Sequence, residues 1–232
     1  MMEMPIAVDR TVGKQQKLMM LLAMVAGFCD AYGLQHFKTY VSFMSGNTTQ
    51  AGIMLAGSIA NSILPLTAVL LFAAGILVAA LLDAYKYYAK RWMPFVSVAL
   101  IILLCATAEV YFKLSNLAGT AILSFAMGYL NNTLMHIGNQ SVNPDFVTGN
   151  LNAGVRHFAA ALLRQPMDKP QGVWDTHKYR AMVLLSIWIC FLAGAFCYAT
   201  TTFYIGNFAI ALPIIALLSC PIYSYKNPSI LN

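Results

Sequence analysis

Apolar residues lie along this chain in long blocks, without the polar stripe of a helix that faces water. The run from Leu18 to Ala26 is apolar on every side, as expected of a helix surrounded by lipid or protein. Comparable blocks follow at Leu64–Leu82, Met93–Val110, Ala118–Met135, Ala181–Thr200 and Phe208–Tyr223. Each approaches the roughly 20 residues that cross a ~30 Å hydrocarbon core. The pattern predicts an all-α, polytopic membrane bundle of about six transmembrane helices.

Two polar segments interrupt this pattern, and they resemble each other. Phe43-Met44-Ser45-Gly46-Asn47 and Phe146-Val147-Thr148-Gly149-Asn150 share the pattern Phe-x-[Ser/Thr]-Gly-Asn, about 103 positions apart. Upstream, Gly27-Phe28-Cys29-Asp30-Ala31 resembles Gly128-Tyr129-Leu130-Asn131-Asn132, and His36 and His136 follow at similar places. Three markers in the same order predict an internal repeat.

The two polar segments, called the signature segments (residues 41–62 and 145–164), are too short to cross a membrane as helices. A helix from Gly46 to Ser62 would be about 25 Å long at 1.5 Å per residue, and the second signature contains Arg156 and His157. We therefore expect two short re-entrant or interfacial helices. Three spans per half then make the two repeats inverted.

The predicted organisation divides the chain into four parts. Residues 1–17 form a cytoplasmic segment, and 18–112 form the first three-span repeat with its signature segment at 41–62. Residues 113–225 form the second three-span repeat with its signature segment at 145–164. Residues 226–232 form a cytoplasmic tail.

Composition agrees with a membrane location, and charge predicts orientation. The chain is 59% hydrophobic and 9% charged, with a formal net charge of +6, whereas soluble domains are about 25% charged. Cytoplasmic loops accumulate Lys and Arg. With both termini cytoplasmic, twelve of the fourteen Lys and Arg residues fall inside, and Lys38 and Lys113 fall outside. The positive charge thus indicates the orientation of the chain in the membrane and does not indicate nucleic-acid binding.

The sequence gives little support for an enzyme. It has no Gly-x-Ser-x-Gly elbow, His-Glu-x-x-His helix or P-loop. The five cysteines lie in or beside apolar blocks without metal-ligand spacing and are read as buried apolar residues. We expect no catalytic residue, cofactor, metal site or disulfide. Asp83 and Glu109, near span ends with Lys86 and Lys113 nearby, are interpreted as structural.

Polar residues inside the spans are the candidate site. A buried carboxylate such as Asp30 costs roughly 2.5–3.5 kcal/mol on insertion scales and is functional by default, although it could equally be a latch that bonds to the signature backbone. Glycine and Ser/Thr-Gly-Asn before a helix can expose its N–H groups to an anion or a carbonyl oxygen. The predicted substrate or ion path comprises Asp30, Ser45, Asn47, Thr48, Asn131, Asn132, Thr148 and Asn150. His36 and His136 are candidate proton relays.

These residues also carry a family resemblance. The run Val25-Ala26-Gly27-Phe28-Cys29-Asp30-Ala31, followed by Val41-Ser42-Phe43-Met44-Ser45-Gly46-Asn47-Thr48-Thr49, resembles the YoaK family of bacterial membrane proteins. The resemblance spans nearly the whole chain, and implies about six spans in a bacterial inner membrane, but no substrate.

From the repeats and the path we expect a secondary transporter or channel for a small solute, coupled to a proton or cation. A structural or partner-binding membrane protein is the alternative, and an intramembrane enzyme is a further one. Besides the lipid bilayer, the expected partners are the unknown solute and, in a bundle this small, a second copy in a homodimer.

Overall fold

Helices make up nearly all of the chain that is described. The computed structural model describes residues 10–85, 92–133, 136–138 and 140–225. The helices are α1 (Arg10–Phe37), α2 (Met44–Gly57), α3 (Ile59–Ala84), α4 (Met93–Phe112), α5 (Asn116–Asn131), α6 (Val147–Leu162), α7 (His177–Ile205) and α8 (Ala211–Tyr225). A short antiparallel hairpin pairs β1 (His136–Ile137) with β2 (Gln140–Ser141). The prediction of an all-α bundle is confirmed.

The apolar blocks coincide with long helices. Among the described residues, four stretches are long and apolar enough to cross a membrane: Arg10–Phe37, Ile59–Ala84, Met93–Phe112 and His177–Ser224. The last holds both α7 and α8, separated by a 3₁₀ turn at Gly206–Ile210. The predicted fourth block lies in α5, which has only 16 residues.

The outer surface of the bundle is apolar. Leu70 and Leu77 on α3, Leu104 on α4 and Ile189 and Phe196 on α7 are each more than half exposed. A surface with this many exposed apolar side chains is stable in lipid and not in water. The fold is therefore that of a membrane protein.

The chain reverses direction between α7 and α8. Gly206 has φ 55°, a left-handed backbone conformation that glycine adopts without steric cost. Cys197 on α7 and Pro213 on α8 line the same cavity, together with residues of α1. The end of α8 returns to the start of α1, where Lys17 and Tyr223 share a second cavity.

Helices α1 and α7 pack against each other and run in the same direction. The Tyr179 hydroxyl near the start of α7 donates to Gln16 Oε1 near the start of α1, at 3.2 Å. Further along, the backbone of Met24 lies against Gly194. Helix α1 is the most enclosed candidate span, with 67% of its apolar window buried. It packs against α5, α7 and α8 and separates these three helices from one another.

Glycines set the close helix crossings. A Cβ atom at Gly27 would collide with the Phe191 carbonyl, and one at Gly194 with the Met24 carbonyl, both between α1 and α7. A second crossing joins α3 to α5 in the same manner: Gly128 faces the Phe72 carbonyl and Gly75 faces the Phe125 carbonyl. Small residues at such positions let helix backbones touch, which stabilises helix pairs in lipid by close packing.

The signature segments form the two short helices, α2 and α6. One expectation is wrong: Ser45-Gly46-Asn47 and Thr148-Gly149-Asn150 lie inside the first turns and do not precede the helices. The N-cap residues are Phe43 and Phe146, whose side chains make no cap hydrogen bond because a phenyl ring has no atom that accepts one. The side chains of Asn47 and Asn150 bond to the preceding segments instead.

Helix α6 packs on the start of α7. The Nδ1 atoms of His157 and His177 are 2.8 Å apart, so one ring donates to the other. Beside them, the guanidinium of Arg180 donates to both carboxylate oxygens of Asp175 at 2.7 Å. This pair is the one ion pair within the described ranges.

Parts of the predicted organisation are untested. The division into two inverted repeats and the cytoplasmic side of the termini stay predictions. Residues 1–9 and the tail at 226–232 lie outside the described residues, as do Lys86, Lys90 and Arg91.

Candidate functional site

Asp30 binds the segment that precedes α2. Its Oδ1 atom accepts the backbone N–H groups of Val41, Ser42 and Phe43 at 2.8, 2.6 and 3.3 Å. Its Oδ2 atom accepts the Ser42 hydroxyl at 2.8 Å. Three consecutive N–H groups at the start of a helix form an anion-binding site. In this protein the Asp30 carboxylate occupies that position.

Asn47 ties α2 to the same segment. Its Oδ1 accepts the Thr39 hydroxyl at 2.9 Å and the Tyr40 N–H at 3.3 Å, and its Nδ2 donates to the Tyr40 carbonyl at 2.8 Å. The side chain is fully buried. Asp30 and Asn47 together accept the backbone N–H groups of residues 40–43, and Asn47 donates to the Tyr40 carbonyl. An apolar bundle requires such pairing of polar backbone groups.

The second half repeats the amide but not the carboxylate. Asn150 Nδ2 donates to the Asn143 carbonyl at 2.7 Å, seven residues back, as Asn47 does to Tyr40. Asn131 stands where the repeat would have Asp30, and Asp145 stands where it would have Ser42. The acidic residue is thus on the helix in the first half (Asp30) and in the segment before α6 in the second half (Asp145).

This second segment holds polar atoms without partners. Three buried oxygens, Asn131 Oδ1, Thr133 Oγ1 and Asn143 Oδ1, have no hydrogen-bond partner among the described residues. The position that matches Val41 is Pro144, which has no N–H to donate. The latch of the first half is thus incomplete in the second, and unpaired oxygens there are free to accept a proton donor or a cation.

Asp145 is the acidic group of the second segment. It is 8% exposed, and it forms no ion pair with any described residue. Burial and, to a smaller extent, the negative charge of Asp30 together raise the pKa of Asp145 to about 8. A carboxyl group with this pKa exchanges its proton close to neutral pH.

The other predicted path residues are divided between the surface and the interior. Ser45, Thr48 and Thr148 are exposed, whereas Asn131 and Asn132 are partly buried at the end of α5. The Thr48 hydroxyl donates to the Met44 carbonyl at 2.8 Å, within its own helix. Asp30, Asn47 and Asn150 are thus enclosed, and the hydroxyl residues face outward.

The two histidines occupy unlike positions. His36 stacks on Tyr32, with ring centroids 4.3 Å apart, and lies 6.5 Å from the Tyr198 ring. His136 is exposed on β1 of the hairpin. The structure does not bring them together.

The repeat of the Gly-Asn pattern does not by itself single out Asp145, which lies before that pattern. The signal was its alignment with Ser42, the residue that binds Asp30. Within the described ranges, no group of three His, Cys, Asp or Glu side chains is arranged to hold a metal ion.

Comparisons with known proteins agree with the membrane assignment. The family described as "Protein of unknown function (DUF1275)" matches residues 18–223. A UPF0700 transmembrane protein of Rhizobium meliloti (strain 1021) is 26% identical over 211 residues, covering 91% of this chain and 86% of that protein. No solved structure matches the chain.

Proposed function

The chain belongs to the DUF1275 family, and on that premise we propose that it is a secondary transporter or channel for a small solute. The observation that carries the proposal is the pair of buried, non-helical polar segments before α2 and α6. Non-helical backbone at membrane depth occurs where protein encloses it or where it lines a wet cavity. Transporters use such broken segments to bind solutes and coupling ions.

The two halves form inverted repeats in this proposal. Equivalent contacts support it. Gly27 and Gly128, one on α1 and one on α5, each face a phenylalanine carbonyl, of Phe191 and of Phe72. The amide bonds of Asn47 and Asn150 match as well. In this proposal the segment before α2 is fixed by its hydrogen bonds to Asp30 and Asn47. The segment before α6, which has fewer such bonds, can respond to a ligand.

Asp145 is the proposed coupling group. Asp30 is fully used in hydrogen bonds, whereas burial raises the pKa of Asp145 to about 8, and Asn143, two residues before it, has an unpaired Oδ1. Because Asp30 lies within electrostatic range, a proton or cation on Asp145 relieves the repulsion between two buried carboxylates. Loading of Asp145 is thus the step that couples to solute movement.

The setting of this transporter follows the sequence predictions. It lies in a bacterial inner membrane with both termini cytoplasmic, it is not an enzyme, and it is a member of the YoaK family. The excess of basic residues at the predicted cytoplasmic ends and the motif resemblance support these proposals.

Flux in proteoliposomes tests the function. Purified protein is reconstituted into vesicles that contain a pH-sensitive dye, and a panel of amines, amino acids, polyols and small carboxylates is added outside. We expect one class to move protons in wild-type vesicles. Asp145→Asn should abolish this movement, and Asp168→Asn, an equal change of charge at an exposed loop position, should retain it.

Two results would contradict the proposal. Wild-type vesicles that respond to no solute class more than protein-free vesicles do would remove the transport function. Equal proton movement in wild type and Asp145→Asn would remove the coupling role while leaving transport in place.

A further inference from the structure

A second polar cluster lies away from the signature segments, at the C-terminal end of α4. Glu109 lies one turn before the end of this helix. Its Oε2 atom is buried and has no hydrogen-bond partner in the described part of the chain. Lys113 donates its backbone N–H to the Glu109 carbonyl at 3.1 Å, but the two side chains form no ion pair. Glu109 therefore has no ion-pair partner among the described residues.

Glu109 lines a cavity of about 440 Å³ between α1, α4 and α8. The other walls are mostly apolar and include Leu103, Val110 and Ile214, and Tyr32 adds an aromatic ring. Sites for small molecules have volumes of roughly 300–1,000 Å³, with apolar walls and a few polar groups that orient the ligand. This cavity meets that description.

Further polar groups lie behind the cavity wall. Glu109 is within electrostatic range of Tyr32 and His36, and the ring of Tyr198 lies 5.9 Å from that of Tyr32. Tyr198 is buried, with 2% of its surface exposed. The end of the cavity therefore combines an unpaired carboxylate with aromatic rings.

This combination selects a positively charged ligand. A carboxylate without a cationic partner is costly in a low-dielectric setting, and a bound cation removes that cost. Aromatic rings attract cations through their negative faces, and the apolar wall accommodates a hydrocarbon chain. Lys38 donates its Nζ to the Gln35 carbonyl at 3.0 Å, and among the described residues it forms no ion pair with Glu109.

We propose that the cavity between α1, α4 and α8 binds a small amphipathic organic cation, with its ammonium group on Glu109 and its hydrocarbon part against Leu103, Val110 and Ile214. The site does not depend on the proposed transport function. It supplies a chemical class that the flux panel can examine first.

Titration calorimetry with n-hexylammonium tests the site. The full-length protein in phosphatidylcholine nanodiscs is titrated at pH 7, with empty nanodiscs as the reference. We expect saturable binding to wild type and at least about tenfold weaker binding to Glu109→Gln, because the amide keeps the shape but removes the charge. Asp83→Asn, at the exposed end of α3, makes the same charge change elsewhere and should bind as wild type does.

Matched ligands and a second variant keep the outcome clear. Hexanoate and 1-hexanol have the same chain length without the positive charge and should bind much more weakly. Thr107→Phe changes an exposed lining residue and should also weaken binding of n-hexylammonium by filling the cavity. Equal binding of the three ligands, or unchanged affinity in Glu109→Gln or Thr107→Phe, would overturn the proposal.

Discussion

At the scale of single residues, Asp30 neutralises the start of α2. Its carboxylate accepts three backbone N–H groups and one hydroxyl, so both oxygens are used. Of the two readings of Asp30 that the sequence leaves open, these contacts favour the latch. Its proposed partner in function, Asp145, has no comparable set of donors, and this difference assigns the two carboxylates separate tasks.

Substitutions at Asp30 should separate charge from hydrogen bonding. In Asp30→Asn the amide oxygen still accepts the N–H groups and its Nδ2 can donate to Ser42 Oγ, so only the gain from a charged acceptor is lost. Asp30→Ala leaves three N–H groups unpaired and should cost on the order of 3 kcal/mol or more of the free energy of unfolding. Melting temperatures in detergent should fall in the order wild type, Asp30→Asn, Asp30→Ala. A melting temperature for Asp30→Ala equal to that of wild type would exclude the latch.

His157 should make the stability depend on pH. Burial, followed by the charges of His177 and Arg180, lowers the pKa of His157 below its usual 6.5, although Asp175 opposes this. The folded state therefore favours the neutral ring, and the stability it contributes is present above about 6.5 and is lost as pH falls through the lowered pKa. Melting curves at pH 7.5 and 5.5 should differ less in His157→Gln than in wild type. The same substitution at exposed His136 should preserve the wild-type difference, and a preserved difference in His157→Gln would contradict the assignment.

At the scale of helices, the glycine crossings hold the bundle together. Gly27 and Gly194 join α1 to α7, and Gly75 and Gly128 join α3 to α5. Because lipid gives little hydrophobic driving force between helices, backbone contact at these points is a main source of packing energy. The sequence indicated small residues in these helices, but the pairing of α1 with α7 and of α3 with α5 came only from the structure.

Added methyl groups should distinguish crossing glycines from free ones. Gly27→Ala and Gly128→Ala place a Cβ against a backbone carbonyl, and such overpacking costs typically 1–3 kcal/mol. Gly52→Ala on α2 has nothing within 4 Å of the new atom, so it should be neutral or stabilising by roughly 0.5–1 kcal/mol. The measurement is the melting temperature of each purified variant. A loss in Gly52→Ala as large as that in Gly27→Ala would show that the effect is not one of crossing geometry.

At the scale of the whole molecule, the starts of α1 and α7 lie together and the end of α8 returns to them. An even number of crossings therefore separates the start of α1 from the start of α7 and from the end of α8, as two halves of three spans each would give. The charge distribution predicts which side of the membrane these ends face. Lys17 and Lys178 lie at the helix ends rich in basic residues, and Lys38 and Lys113 lie at the opposite ends of the bundle.

Single cysteines introduced at these four exposed positions should report the orientation. In a variant without the five native cysteines, a membrane-impermeant maleimide should label Lys38→Cys and Lys113→Cys in intact cells. Lys17→Cys and Lys178→Cys should react only after the membrane is opened, because basic ends stay cytoplasmic. Labelling of all four positions in intact cells, or the reverse pattern, would contradict the predicted topology.

The sequence by itself determined the class of the protein and the position of its helices. Apolar blocks such as Met93–Val110 specify membrane helices because lipid excludes charges and unpaired backbone groups along the whole length of a span. The same logic located the two signature segments and the buried Asp30, since each interrupts an otherwise apolar pattern.

Only the tertiary structure decided what the polar residues do. Whether Asp30 faces a solute or the N–H groups of Val41, Ser42 and Phe43 depends on where residues 39–43 fold back, and spacing along the chain does not contain that distance. The cavity at Glu109 likewise arises from helices far apart in sequence. Burial and hydrogen-bond saturation are properties of neighbours in space, and those neighbours are chosen by packing of the whole bundle.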